Sequence, residues 1–202
     1  MKGRRVILAS ANSGKLAELA ALLAPLGFDL TPQQALGIES PPESGATFLE
    51  NALLKARYAA GQRALPAIAD DSGIEVDALG GAPGVHSARY AGDAAQDRDN
   101  VEKMLAALSI VPVAARGARY RCVIAFVRDA RDTQPVIAAG SWQGHIAQAP
   151  RGTGGFGYDP IFIPAGQERT AAELSAGEKN VVSHRALALR ALVAQLRAAA
   201  DR

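Results

Sequence analysis

The chain predicts a mixed α/β protein, and three features of the sequence carry that prediction. Short apolar runs bounded by glycine, proline and polar residues alternate along its 202 residues with stretches of helical apolar spacing. No repeat, low-complexity linker or break in composition divides the chain, so one mixed unit, with scope for two lobes, accounts for it. With 49% hydrophobic and 21% charged residues a core is easily built, which excludes a disordered tail or a collagen-like chain, and a single cysteine excludes a disulfide-stapled fold.

Residues 5–9 read as a short apolar strand running into Ser10-Ala-Asn-Ser-Gly-Lys15 and a helix to about Ala24, closed by Pro25. Pro32 to Gly45 is polar loop. Thr47 and Glu50 then have capping-box spacing ahead of a helix to about Ala60. Pro66 to Asp70 is a buried strand ending in two carboxylates, after which Ile74, Val76 and Ala78 alternate with polar residues in a hairpin-like return. Gly80 to Gly84 is a turn. Asp93 to Leu108 is an amphipathic helix with Val101, Met104, Leu105 and Leu108 on one side. Residues 118–128 alternate through Tyr120, Cys122, Ile124 and Phe126, and Gln134 to Ala139 gives a partner strand. Gly152 to Asp159 is a glycine-dense loop, Pro160 to Pro164 a proline-bounded strand, and Ser183 the N-cap of a last helix to about Ala200. Ligand chemistry is expected between lobes or at strand ends.

The charge balance is mild: 22 basic against 20 acidic residues, net +2. A binder of nucleic-acid polymers would more often show a basic stripe, whereas here only Arg116 to Arg131 gathers positive residues. The first 110 residues sum to −3 and the remainder to +5, which modestly favours a small polyanion as ligand. No apolar run approaches the roughly 18 residues of a membrane span, and the apolar stretch behind Met1-Lys2-Gly3-Arg4-Arg5 ends at Ala9. The expectation is a cytoplasmic chain with neither signal peptide nor membrane partner.

Several segments carry candidate chemistry. Ser10 to Lys15 sets small residues, a glycine and a lysine at a helix start, where free backbone N–H groups and Lys15 can hold phosphate oxygens; an ordinary strand-to-helix turn with a solvated lysine is the alternative. It is not a Walker A loop, because Ser10 stands at the first glycine and Leu16 follows the lysine. Asp70 and Asp71, adjacent on a strand, point in different directions, so one can face a metal or ligand while the other accepts backbone hydrogen bonds. Oxygen donors of this kind suit Mg²⁺, and an ionised Asp can orient and deprotonate water; an Asp-Ser-Gly turn cap is the plainer account. Glu43 precedes the Thr47 helix, and Asn51 and Lys55 share one of its faces, able to offer metal and phosphate contacts or simply a solvated surface.

In Gly154-Gly-Phe-Gly-Tyr-Asp159, glycines around Phe156 let backbone approach a planar ligand while the ring stacks and Asp159 accepts from its edge; a satellite aromatic cluster would show the same residues. His184 and Arg185 fall in a first helical turn, against the macrodipole, so a phosphate, a base carbonyl or a protein carboxylate should lie nearby. Cys122 reads as a buried small hydrophobe and Trp142 as sheet packing or an interface anchor.

Taken together these blocks resemble the inosine/xanthosine triphosphate pyrophosphatases, which act on non-standard purine nucleotides. The match runs through Ser10 to Lys15, Thr47 to Ala52 with Lys55-Ala56, Ala69 to Gly73, Leu79 to Val85 with Ser87 to Arg89, Gly154 to Pro160, and Glu178-Lys179 with Ser183 to Arg185. Six ordered blocks spread over the chain are more specific than any one of them. The first motif often opens with Thr-Gly where this chain has Ser10-Ala11, which leaves Gly14 and Lys15 in place.

The resemblance implies an elongated mixed central β-sheet with flanking helices, two lobes around a nucleotide cleft within one domain over 1–202, and a homodimer. It implies Mg²⁺-dependent hydrolysis of ITP, dITP and XTP to the monophosphate and pyrophosphate. By similarity Ser10, Ala11, Asn12, Ser13, Gly14, Lys15 and Lys55 hold the triphosphate, Asp71 is the base and a metal ligand, and Glu43 is a second metal contact. Ser72 touches substrate, Phe156 stacks the purine framed by Gly157, Tyr158 and Asp159, and Lys179, His184 and Arg185 line the base-recognition side. Donors there favour a 6-keto over a 6-amino purine. The other readings are a Maf-like pyrophosphatase for modified nucleotides, whose blocks differ, a phosphotransferase, whose acceptor site nothing signals, and a non-catalytic nucleotide-binding module, which has little need of Asp71.

Overall fold

The computed structural model describes residues 5–23 and 27–200, and it is a mixed α/β fold. Strands are β1 (Arg5–Leu8), β2 (Asp29–Pro32), β3 (Ala67–Val76), β4 (Gly117–Val127), β5 (Val136–Ile146) and β6 (Phe162–Pro164). Helices are α1 (Ser13–Leu23), α2 (Phe48–Arg63), α3 (Asp97–Ala107), α4 (Ala176–Val182) and α5 (His184–Ala200). The expected end of the first helix at Ala24 and Pro25 lies outside the described residues.

The strands form one sheet in the order β2-β1-β3-β4-β5-β6. It is mixed: β1 pairs in parallel with both β2 and β3, the latter through Ile7↔Ala67 and Leu8↔Ile68, whereas β5 and β6 are antiparallel. β3 is buried along almost its whole length, as a central strand covered on both faces must be.

Two compact units divide the chain. Unit 1 takes Met1–Asp71, Cys122–Gly140 and Arg185–Arg202; unit 2 takes Ser72–Arg121 and Ser141–His184. Unit 1 has its own core, in which Leu19 and Leu23 of α1 and Leu189, Leu192 and Leu196 of α5 pack with Val6, Leu8, Ile68, Ile124 and Phe126. The core of unit 2 gathers Val101, Met104 and Leu108 around Ile74, Tyr120, Trp142, Ile146 and Phe162. Among the described residues no helix is long and apolar enough to cross a membrane.

Local signals set several boundaries. At α2 the capping box forms as its spacing demands: Thr47 Oγ1 accepts from the Glu50 amide at 3.1 Å, and Glu50 Oε2 accepts from the Thr47 amide at 3.2 Å. α3 starts at Asp97 rather than Asp93, because Gln96 caps it and Asp99 Oδ2 accepts the Gln96 amide at 2.8 Å.

Four other expectations change. Asp70 to Gly73 is neither a turn nor the foot of a hairpin: β3 runs straight through it to Val76, since the ladder continues and Gly73 adopts no left-handed conformation. β5 extends to Ile146, so Trp142 lies inside a strand, 7% exposed and stacked in the unit 2 core. The segment from Pro32 is not all loop, for β2 ends at Pro32 and a 3-10 turn covers Gln33–Leu36. The proline-bounded strand shortens to β6, a 3-10 turn at Asp159–Ile161 having absorbed Pro160.

Candidate active site

Unit 1 carries a cluster of buried charges centred on β3. Asp70 and Asp71 sit in its most enclosed stretch, where an unpaired charge would be prohibitively expensive, so each draws cations from elsewhere in the sequence. Alternation along the strand sends them to different partners.

Asp70 Oδ2 accepts from Arg185 Nε and Nη2, both at 3.3 Å, and lies 3.5 Å from Lys15 Nζ. Arg185 also pairs with Glu18 of α1, so α1, β3 and α5 are tied by one ionic chain. Burial opposes the charge on Asp70, yet Lys15, Arg185 and Lys55 together hold its carboxyl well below the usual carboxylate range. The same carboxylates push Arg185 up against its burial. They are also the acceptors that a cation in the first turn of α5 requires: protein carboxylates resolve the conflict with the macrodipole. Cys122 is fully buried with Sγ 3.9 Å from Asp70 Oδ2, and burial beside that carboxylate pushes its thiol up to about 12, leaving it inert.

Asp71 faces α2. Its Oδ1 accepts from Lys55 Nζ at 3.0 Å and its Oδ2 from Asn51 Nδ2 at 3.2 Å. The Asn51 amide is oriented from behind, because its Oδ1 accepts the Gly45 N–H at 2.8 Å. Lys55 Nζ also donates to Glu43 Oε1 at 2.6 Å, so this ammonium lies between two carboxylates and is buried rather than solvated. Burial works against the Lys55 charge, but Asp71, Asp70 and Glu43 outweigh it and raise its pKa. Asp71 is raised, by burial first and by Glu43 as well, against the pull of Lys55 and Lys15. A carboxylate with a raised pKa beside fixed cations is what a general base calls for.

The Ser10 to Lys15 segment joins β1 to α1. Ser10 is buried, its Oγ accepting the Asn12 amide at 3.2 Å, and its carbonyl accepts Gln34 Nε2 at 2.8 Å. Ala11 and Asn12 are exposed, and Asn12 Oδ1 accepts the Lys15 amide at 3.0 Å, capping the helix that Ser13 and Gly14 begin. Lys15 reaches Asp70, and its charge acts on Asp71 as well.

Among the described residues no three His, Cys, Asp or Glu side chains form a ready metal cluster. Mg²⁺ asks for less: one or two carboxylates, with substrate phosphates completing its shell. Glu43 and Asp71 offer hard oxygen donors on either side of Lys55. These residues fit the ion.

Unit 2 holds a second constellation. Asp159 Oδ2 accepts Lys179 Nζ at 2.6 Å and the Phe156 amide at 3.0 Å, while Asp159 Oδ1 accepts the Tyr120 hydroxyl at 3.3 Å. Lys179 Nζ stands 4.8 Å above the Phe156 ring. His184 stacks on Tyr120, centroids 4.6 Å apart and planes within 7°. Tyr158 is buried and its hydroxyl donates to Ser87 O at 2.8 Å. Gly155 has φ +71°, and a Cβ there would overlap Asp159 Oδ2, so glycine is required twice over. Ser72 is half-buried on β3 where unit 2 begins.

Lys15, Lys55, Glu43 and Asp71 therefore group in unit 1, and Phe156, Gly157, Tyr158, Asp159, Lys179 and His184 in unit 2. The ion pairs of Arg185 run to Asp70 and Glu18 in unit 1. Glu18 is not among the residues expected at the site, although an acid three residues after Lys15 on one helix face was a usable signal. Nor are Tyr120, which reads as core, and Asp97, whose partner is remote in sequence.

A family model described as the Ham1 family matches residues 6–195. The chain belongs to the Ham1 family. It is 57% identical over 195 residues to the dITP/XTP pyrophosphatase of Methylococcus capsulatus, covering 96% of this chain and 97% of that protein. Among solved structures, this Ham1-family chain is similar to a HAM1 protein from Coxiella burnetii, with a TM-score of 0.89, 48% identity and coverage of 96% and 98%. The nucleoside-triphosphatase/dITP/XTP pyrophosphatase of Mycobacterium abscessus gives a TM-score of 0.75 at 45% identity, covering 95% and 98%.

Proposed function

We propose that this Ham1-family chain hydrolyses ITP, dITP and XTP to the nucleoside monophosphate and pyrophosphate, with Mg²⁺ held by Glu43 and Asp71. The observation that carries the reading is Asp71, a buried carboxylate with a raised pKa, gripped by Asn51 and Lys55 beside Glu43. The names of the relatives support the substrate class.

The backbone amides from Ser10 to Gly14, Lys15 and Lys55 bind the triphosphate and stabilise charge on the phosphoryl oxygens and departing pyrophosphate. Asp71 orients water and takes its proton as the water oxygen bonds to the α-phosphorus. The bond from that phosphorus to the bridging oxygen breaks, and its electron pair leaves with pyrophosphate. Glu43 and Asp71 would hold Mg²⁺, which would supply concentrated positive charge to offset the charge of the phosphoryl group. Arg185 is oriented by Asp70 and Glu18.

On the base side Phe156 stacks the purine, Gly157, Tyr158 and Asp159 frame it, and Ser72 contacts substrate. Donors from Lys179, His184 and Arg185 favour a 6-keto oxygen, since a 6-amino group would leave them unpaired. The protein works as a cytoplasmic homodimer on free nucleotides. Product analysis with ITP, XTP, dITP, GTP and ATP plus Mg²⁺ tests the reading. Pyrophosphate released chiefly from the first three is expected; orthophosphate alone, or no turnover, refutes it.

A further inference from the structure

The Gly157 amide donates to Asp97 Oδ2 at 2.6 Å, a contact across 60 residues between the first residue of α3 and the turn carrying Phe156 and Tyr158. Asp97 is not engaged in capping its own helix: Gln96 and Asp99 form that box. One turn further along, Asn100 faces the same way, its Oδ1 accepting the Ala91 amide at 2.8 Å and its Nδ2 donating to Ala88 O at 3.1 Å. The start of α3 thus grips two neighbouring segments of unit 2 by side chain to backbone bonds.

We infer that Asp97 is a positioning residue for the base-stacking loop, its carboxylate fixing the Gly157 backbone and through it the tilt of the Phe156 ring. Each residue of that turn has its own anchor. The Phe156 amide is held by Asp159, the Gly157 amide by Asp97, and the Tyr158 hydroxyl by Ser87 O. Gly157 has φ +63°, and the Asp159 amide donates to Phe156 O at 3.3 Å to close the turn around it, so Asp97 adds a hold from outside the turn to the one made within it. An ionised acceptor on a backbone N–H is stronger than a neutral one, which suits a clamp at the surface. Without it Phe156 keeps its hold on Asp159 but the backbone that follows it is less constrained, and stacking on a purine weakens.

The inference rests on the proposed role of Phe156, and its test separates the two. Steady-state kinetics with ITP, and inhibition by pyrophosphate, are measured on the full chain for wild type, Asp97→Ala, Asp97→Asn and Phe156→Ala. Asp97→Ala is expected to raise KM for ITP about tenfold with kcat within about threefold and the pyrophosphate Ki unchanged. Asp97→Asn, which keeps an acceptor oxygen without the charge, should fall between it and wild type. Unchanged KM in Asp97→Ala, a loss confined to kcat, or a Ki that rises with KM overturns the inference, the last because a general loosening of the fold would do the same. Phe156→Ala that raises KM while Asp97→Ala does not removes Asp97 alone. Phe156→Ala without effect on KM removes the stacking role and the Asp97 inference with it.

Discussion

Replacing Asp70 by Asn isolates the contribution of a buried charge without changing its volume. Asp70 is 1% exposed and Arg185 equally so, and the substitution leaves Arg185 with Glu18 and removes the carboxylate that Lys15 faces. Neutralising a buried carboxylate sometimes helps a protein by sparing desolvation. Here the cations outweigh burial, since the Asp70 carboxyl is held below its ordinary range even though it is enclosed. The loss should therefore be about 3 kcal/mol, the lower end of the cost of breaking a buried pair from one side. For a chain of this length each kcal/mol moves Tm by about 2–4 °C, so a fall of about 6–12 °C is expected in calorimetry at pH 7. The sign with pH is fixed. A depressed folded pKa adds stability that is fully present above the unfolded value and is lost as pH falls through the folded one, so wild type and variant should converge only below about pH 4. A drop under about 2 °C at pH 7, or convergence already near neutral pH, would show that Arg185 and Lys15 do not depend on Asp70.

Asp71→Asn should retain nucleotide binding by calorimetry yet lower kcat on the order of 10²–10⁴, and near-normal turnover would remove Asp71 as base. Lys55→Met should damage both pyrophosphate inhibition and kcat by at least tenfold, whereas a surface lysine would leave both intact. Gly155→Ala meets left-handed backbone and Asp159 together, and a loss of about 1–3 kcal/mol in urea unfolding is expected; a neutral result would mean the turn rearranges freely.

Features governed by neighbours in sequence were legible. The α2 capping box needs only Thr47 and Glu50 three residues apart, and the alternation through Tyr120, Cys122, Ile124 and Phe126 fixes β4 by itself. The mixed α/β class followed from such patterns. What escaped was decided at a distance. Two consecutive aspartates argue for a turn on local chemistry, and only Lys15, Lys55 and Arg185, supplied by three helices, make them tolerable inside a central strand. Lys55 read equally well as a solvated lysine because Glu43 and Asp71, which bury it, come from other elements. The acceptors demanded by Arg185 were anticipated, but nothing local says that one stands 115 residues away. Asp97 falls inside the helix expected from Asp93, and nothing local in the sequence says that the Gly157 amide stands against it.

The pleat of β3 has a consequence for how this chain can vary. Neighbouring aspartates on one strand are assigned to opposite sides of the sheet, one to hold the architecture and one to face α2, and the two assignments differ by a single residue step. An insertion or deletion between Ile68 and Asp70 would exchange them while barely altering the hydropathy of the strand. The alignment of Ile7 with Ala67 and Leu8 with Ile68 is therefore a chemical setting as much as a structural one, and a change in length here would disturb both carboxylates where a point substitution disturbs one.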